Sequence, residues 1–212
     1  DFGNRVSVAN GGGAVRVAIS VFSSGACYDQ SGNLIENYNP VKIFEWSDGN
    51  WQQLGSSLPY GPALLSDDGG RVAIPSLQGF SIYEFVGGDW VQLGGNPDDG
   101  QQSVDGISGL DFAFSGDGSR IAVGDQYFDG AVAGYNEGRV SVFEYSDAGW
   151  VALGVPIEGE GRNDSVGRTG TFSLSGDGSR LAVQSFYFEA GDRTPVGEIE
   201  VFQYDGATWQ RV

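Results

Sequence analysis

Apolar residues recur at every second position through many short stretches of the chain, and glycine- and aspartate-rich segments stand between them. The alternation is plain in "RVSVA" (5–9), "LDFAFS" (110–115) and "VSVFEY" (140–145). A period of two sends successive side chains to opposite faces, so each stretch is predicted to be a β-strand. Asp-Gly and Gly-Gly between two such stretches predict hairpin turns. One hairpin phrase is written twice almost unchanged, as "FSGDGSRIAVG" (114–124) and "LSGDGSRLAVQ" (174–184). Weaker copies stand at "LSDDGGRVAIP" (65–75) and "VANGGGAVRVAIS" (8–20). Each is followed by a second phrase: "IFEWSDGNWQQLG" (43–55), "IYEFVGGDWVQLG" (82–94), "VFEYSDAGWVALG" (142–154) and "VFQYDGATWQRV" (201–212). The order is fixed while the spacing varies, which is the signature of an internal repeat.

Every copy resolves into four strands, a to d. The stretches after the arginines (b) and before the tryptophans (c) are the best defined. Strand c is apolar on both faces, with Val41 and Ile43 on one and Phe44 and Trp46 on the other. Such a strand has to be covered on both sides. Small four-stranded sheets covered by their neighbours are the blades of a β-propeller. The expected fold is therefore an all-β propeller with four blades of four antiparallel strands, near 1–58, 59–106, 107–165 and 166–212.

The phrases "DFGNRVSVA" (1–9) and "DSVGRTGTFSLSGDGSRLAV" (164–183) resemble FG-GAP-like propeller repeats, with their S-x-D-G-S-R-(L/I)-A-V-G and V-F-x-Y signatures. The resemblance covers the whole chain, closely in the third and fourth copies and loosely in the first two. It implies the propeller fold. Integrin-type members of that family carry a D-x-D-x-D-G calcium loop, and no copy here has one. "SGDG" and "SDDG" are too short to supply the alternating oxygens that Ca²⁺ takes, so no metal and no cofactor is expected.

The net charge of −17 makes nucleic acid and anionic membrane poor partners. No apolar run is long enough for a membrane-spanning helix. The single Cys27 provides no internal disulfide. The sequence starts at Asp1 and contains no Met, which is expected of a processed or excised piece of a longer protein. "NDS" at 163–165 makes Asn163 a glycosylation candidate, and with it an extracellular, cell-surface or organelle-lumen setting is expected. The repeats are in whole-blade register, so further repeats of a longer parent, or a second copy of the chain, are expected as neighbours.

Residues that recur in every copy are expected to be architectural. They are Arg16, Arg71, Arg120 and Arg180, beside the turn, and Trp51, Trp90, Trp150 and Trp209, at the start of strand d. Glu45, Glu84 and Glu144 occupy matching points of strand c, with Gln203 in the fourth copy, so Arg–carboxylate pairing inside a blade is expected. Bonding of Arg to carbonyls of the adjoining turn is the other reading.

Function is expected where the copies differ. The b–c connections are long in three copies, at 20–40, 124–138 and 184–197, and carry aromatic residues among acids. The resulting partner-binding candidates are Tyr28, Tyr38, Tyr127, Phe128, Asp129, Tyr135, Glu137, Phe186, Tyr187 and Phe188. Aromatic planes beside carboxylates suit a sugar, a cationic peptide or a protein; folding back to cap the blades is the structural alternative.

The chain has no His, which removes Ser-His-Asp and Cys-His schemes and histidine-bound zinc. It has no phosphate-binding glycine loop. A glycosidase needs only two carboxylates, but none of the 28 acids singles itself out as a pair. No catalytic residue is assigned. The expectation is a non-catalytic interaction module of a larger protein, binding a protein or carbohydrate partner through the b–c loops. A carbohydrate-binding or carbohydrate-active propeller, and a purely structural repeat in an assembly, are the alternatives.

Overall fold

The computed structural model describes residues 5–10, 13–20, 40–76, 79–94, 110–130, 136–161, 163–185 and 197–212. Among them there are seventeen strands and no helix. The first sheet runs in order through β1 (Arg5–Ala9), β2 (Arg16–Ser20), β3 (Lys42–Ser47) and β4 (Asn50–Gln53). The second is β5 (Leu64–Leu65), β6 (Arg71–Ser76), β7 (Gly79–Val86) and β8 (Asp89–Gln92). The third is β9 (Leu110–Phe114), β10 (Arg120–Asp125), β11 (Arg139–Ser146) and β12 (Gly149–Ala152), with β13 (Ile157–Glu158) paired beside the start of β11. The fourth is β14 (Phe172–Leu174), β15 (Arg180–Ser185), β16 (Glu198–Tyr204) and β17 (Trp209–Arg211). The expected four antiparallel blades of four strands are present.

The repeated turn explains why the chain writes S-G-D-G-S-R twice. Asp117 Oδ1 accepts from the Ser115 hydroxyl (2.8 Å), the Ser119 amide (2.9 Å) and the Ser119 hydroxyl (2.7 Å). The Ser115 hydroxyl oxygen accepts the Arg120 amide at 2.9 Å, and Gly118 closes the turn at φ 67°, where only glycine sits without strain. Asp177 repeats the arrangement with Ser175 and Ser179, whose hydroxyls and amide hold its carboxyl down to about 2. The motif is a self-satisfied hairpin.

The chain divides into two compact units, Asp1–Ser76 with Phe80–Leu93, and Leu77–Gly79 with Gly94–Val212. In the first unit, sheets one and two enclose Ala18, Val41, Ile43, Leu65, Val72, Ile74 and Trp90. In the second, sheets three and four enclose Ala122, Val140, Val142, Leu174, Leu181, Val183 and Trp209.

Arg16, Arg120, Trp90 and Trp209 join blade to blade inside each unit. Arg16 and Glu45 are directly opposite on β2 and β3, and Arg16 Nε donates to Glu45 Oε2 at 2.8 Å. The same guanidinium reaches the next blade, donating from Nη1 to the Gly69 carbonyl (2.8 Å) and lying over the Phe85 ring (5.2 Å). In the second unit Arg120 bonds Glu144 (2.8 Å) and the Gly178 carbonyl (3.0 Å), and lies over Tyr204 (5.6 Å). Arg71 places Nε and Nη2 on Glu84 Oε1, and Arg180 takes Gln203 Oε1 as its neutral partner at 2.8 Å. The expected pairing of arginine with the strand-c carboxylate is present in three blades, while the carbonyl that Arg16 and Arg120 each bond belongs to a turn of the next blade and not to the turn adjoining them.

Trp90 packs against Phe85 and donates its indole N–H to the Leu54 carbonyl of the preceding blade at 2.8 Å. Trp209 does the same with Tyr204 and the Leu153 carbonyl, also at 2.8 Å. Trp150 is half-buried against Tyr145. Trp51 departs from the expected packing role: it is exposed, touching Trp46 edge-on, because the face that carries it has no covering blade among the described residues.

Candidate functional site

Of the ten partner-binding candidates, Tyr28, Tyr38, Tyr135, Phe186, Tyr187 and Phe188 lie outside the described residues. The remainder fall at the end of blade three where β10 leaves and β11 enters. Asp125 ends β10 and its side chain accepts the Tyr127 amide (3.2 Å); Asp129 accepts the Asn136 amide (2.7 Å); the Phe128 carbonyl accepts the Gly138 amide (3.0 Å). The chain is thereby folded back onto the blade. Phe128 is half-buried beneath the Arg139 guanidinium at 4.2 Å, and Tyr127 is half-buried as well. Asp129 is exposed. Glu137 is corrected outright: it is fully buried, so its carboxylate cannot serve as a surface contact. A side chain built on Gly130 would collide with that carboxylate.

Glu137 belongs to a buried group of charges at this end of blades three and four, with Asp111, Asp125, Arg139 and Asp164. Asp111 Oδ2 accepts the Gly170 amide at 2.9 Å. Asp164 Oδ2 accepts the Gly161 amide at 2.6 Å, while its Oδ1 has no hydrogen-bond partner. Burial pushes the Asp164 carboxyl up; the Gly161 and Glu160 amides oppose the rise, and the charges of Glu160 and Glu137 add to it. Asn163, in the sequon, is half-buried at φ 63° beside this buried aspartate. No group of three or more His, Cys, Asp or Glu with metal-binding placement occurs among the described residues.

The same blade pair also lines a trench of about 380 Å³, within the usual size of small-molecule sites. Its floor and walls are Phe202 and Trp209 of the fourth blade and Val155–Ile157 at the edge of the third. Glu158, Glu160, Glu200 and Arg211 supply its charge. Arg211 clamps two carboxylates, Glu198 and Glu200, each at 2.6 Å. Burial pushes the Glu200 carboxyl up; Arg211 pulls it back, and Glu198 and Glu160 raise it further. The trench thus holds a partly desolvated acid with raised proton affinity among solvent-facing glutamates.

The sequence contained a signal for this trench. Glu200 stands where the other three copies have Lys42, Ser81 and Ser141, and Arg211 stands where they have Gln53, Gln92 and Ala152. These are departures from the repeat inside the strands, and the long loops drew attention away from them. The Asp164 group carried no comparable signal, since a carboxylate in a glycine-rich turn reads as solvated until the fold buries it.

No known family model matches the chain, and no curated protein does. Solved structures do match. An ancestral GH74 enzyme superposes with a TM-score of 0.53 at 14% identity, over 98% of this chain and 27% of that one. A puromycin-hydrolysing peptidase of Mycobacterium tuberculosis gives 0.51 at 16%, over 100% and 29%. The periplasmic gluconolactonase of Pseudomonas aeruginosa gives 0.50 at 14%, over 99% and 56%. The chain thus spans between about a quarter and just over half of these proteins' lengths. The fold is that of a β-propeller. The expectation of a non-catalytic interaction module is corrected by this set, because the proteins that share the architecture are enzymes. The absence of His had removed histidine chemistry alone; carboxylate chemistry needs none.

Proposed function

We propose that the chain is the carbohydrate-active part of a propeller enzyme, with the trench between blades three and four as its saccharide site. The observation that carries this reading is Glu200: a carboxyl raised by burial, clamped by Arg211 and facing further glutamates beside Phe202 and Trp209. Apolar ring faces take the C–H face of a sugar, and carboxylates and the guanidinium take its hydroxyls. The reaction class is cleavage of a glycosidic bond, for which a raised carboxyl is the proton donor and an ionised one the base or nucleophile. Glu200 is assigned as the acid, and Glu160 or Glu158 as the second carboxyl group.

Three glutamates against one arginine disfavour uronates and sulfated sugars, so the substrate is a neutral or amino saccharide. The GH74 enzyme and the gluconolactonase of similar fold support a sugar substrate. The periplasmic setting of the latter supports a location outside the cytoplasm. Calorimetric titration with neutral, amino and uronic oligosaccharides tests the reading. Binding of the first two classes, weakened at least about tenfold by Arg211→Ala, is expected. Tightest binding of the uronic class would overturn it.

A further inference from the structure

The contact between blades inside each unit is made by two unlike faces, and among the described residues sheet one and sheet four each leave one such face exposed. In the first unit, Val41, just before β3, and Ile43, within it, face blade two and are 0% and 1% exposed. Their counterparts on β16 are Ile199 and Val201, fixed by the register that sets Arg180 opposite Gln203 as Arg16 stands opposite Glu45. These two are 72% and 37% exposed. The receiving face shows the same contrast. Leu65 and Trp90 of blade two are 4% and 7% exposed, whereas their counterparts in blade one, Val8 and Trp51, are 63% and 47% exposed. Val6 and Trp46 continue that open apolar strip.

We infer that the open face of sheet four docks on the open face of sheet one of a second copy of this chain, repeating the contact already present inside each unit. The polar groups match residue for residue. Arg180 is exposed and bonds Gln203; its counterparts Arg16 and Arg120 also bond a turn carbonyl and cover an aromatic ring of the next blade. In the docked copy those groups are the Ala14 carbonyl and the Trp46 ring. Ser173 is the counterpart of Ser7, whose hydroxyl oxygen accepts the Leu65 amide at 3.0 Å, so Ser173 receives the amide of Val8. Val212 bonds Val201 as Leu54 bonds Ile43 and Leu153 bonds Val142. Its carbonyl is therefore placed to accept the Trp51 indole N–H, as Leu54 does for Trp90. The contact is heterologous, head to tail, since neither face complements itself.

Sedimentation of the native chain, together with Val201→Asp and Trp51→Asp, tests this. Both substitutions fall on exposed side chains, and each variant's melting curve is recorded to show that its blades are intact. The native chain is expected at two or more times 22.4 kDa, and each variant at 22.4 kDa. Mixing the two variants brings one undamaged face of each kind together and restores a species of twice that mass. A native mass of 22.4 kDa would overturn the inference. So would a mixture that stays monomeric, or variants that still assemble, as Val201→Asp alone would if the contact were a symmetric one between two sheet-one faces.

Discussion

The Trp209 indole N–H donates to the Leu153 carbonyl at 2.8 Å, tying the last strand of blade four to the end of β12 in blade three. Trp90 makes the same bond to Leu54 one unit earlier. A buried ring and a satisfied N–H at one position explain why the repeat keeps tryptophan there, since Phe would leave the carbonyl unpaired.

Replacing either buried tryptophan with alanine is therefore expected to cost about 3–5 kcal/mol. Urea denaturation of Trp90→Ala and Trp209→Ala checks this. A midpoint equal to that of the native chain would place these rings outside the core.

Arg120 joins three groups at once, Glu144, the Gly178 carbonyl and the Tyr204 ring. Lysine keeps the charge and loses the fork. Arg120→Lys is expected to destabilise by about 1–2 kcal/mol, more than half of it retained when Glu144 is already Gln, because the carbonyl bond and the ring contact do not depend on the carboxylate. A double-mutant cycle by thermal denaturation measures the split.

Gly124 on β10 lies against Gly167, and a Cβ there would collide with the Gly167 carbonyl and the Phe172 ring. Backbone cannot step aside as a side-chain end can. Gly124→Ala is expected at or above the upper end of the roughly 1–3 kcal/mol typical of overpacking, read as a lowered melting temperature. Gly176→Ala, with nothing within 4 Å of the added carbon, is the matched control.

The hairpin aspartates set the acid limb of stability. Asp177 falls from 3.8 to about 2, held by the Ser175 hydroxyl and by the Ser179 amide and hydroxyl. Ser56 and Trp90 lower Asp89, and the Thr208 and Ala207 amides lower Asp205. Carboxyls depressed in the folded state stabilise it above their unfolded values and lose that contribution as protons bind. The melting temperature is expected to fall between about pH 4 and pH 2. Asp177→Asn is expected to flatten that fall. Asp164 and Glu200 run the other way, raised by burial, so Asp164→Asn is expected to leave stability at neutral pH unchanged or higher.

The blades were legible because the signals that build them are local. Alternation gives the strands, "SGDGSR" carries its own hydrogen bonds, and the Arg-to-Glu offset follows from antiparallel register. What was not legible depends on which faces meet. Trp51 and Trp90 sit in nearly identical phrases, yet one is exposed and the other buried, since only the second has a preceding blade over it. Glu137 reads as a loop acid and is buried because Gly159 and Asp164 close over it from the next connection. The trench needed Glu200 and Arg211 to be recognised as departures from the repeat before their diagonal ion pair across β16 and β17 could be seen.

Release of reducing ends from a panel of neutral and amino oligosaccharides, followed for the native chain and for Glu200→Gln, tests the central claim most directly. The substitution keeps the shape and hydrogen-bonding reach of the side chain and removes its proton. Release by the native chain on at least one member is expected, lowered at least about 100-fold by Glu200→Gln with the melting temperature preserved. Release that continues undiminished in Glu200→Gln, or its absence across the panel with the native chain, would contradict the assignment of the trench as a glycosidic-bond-cleaving site.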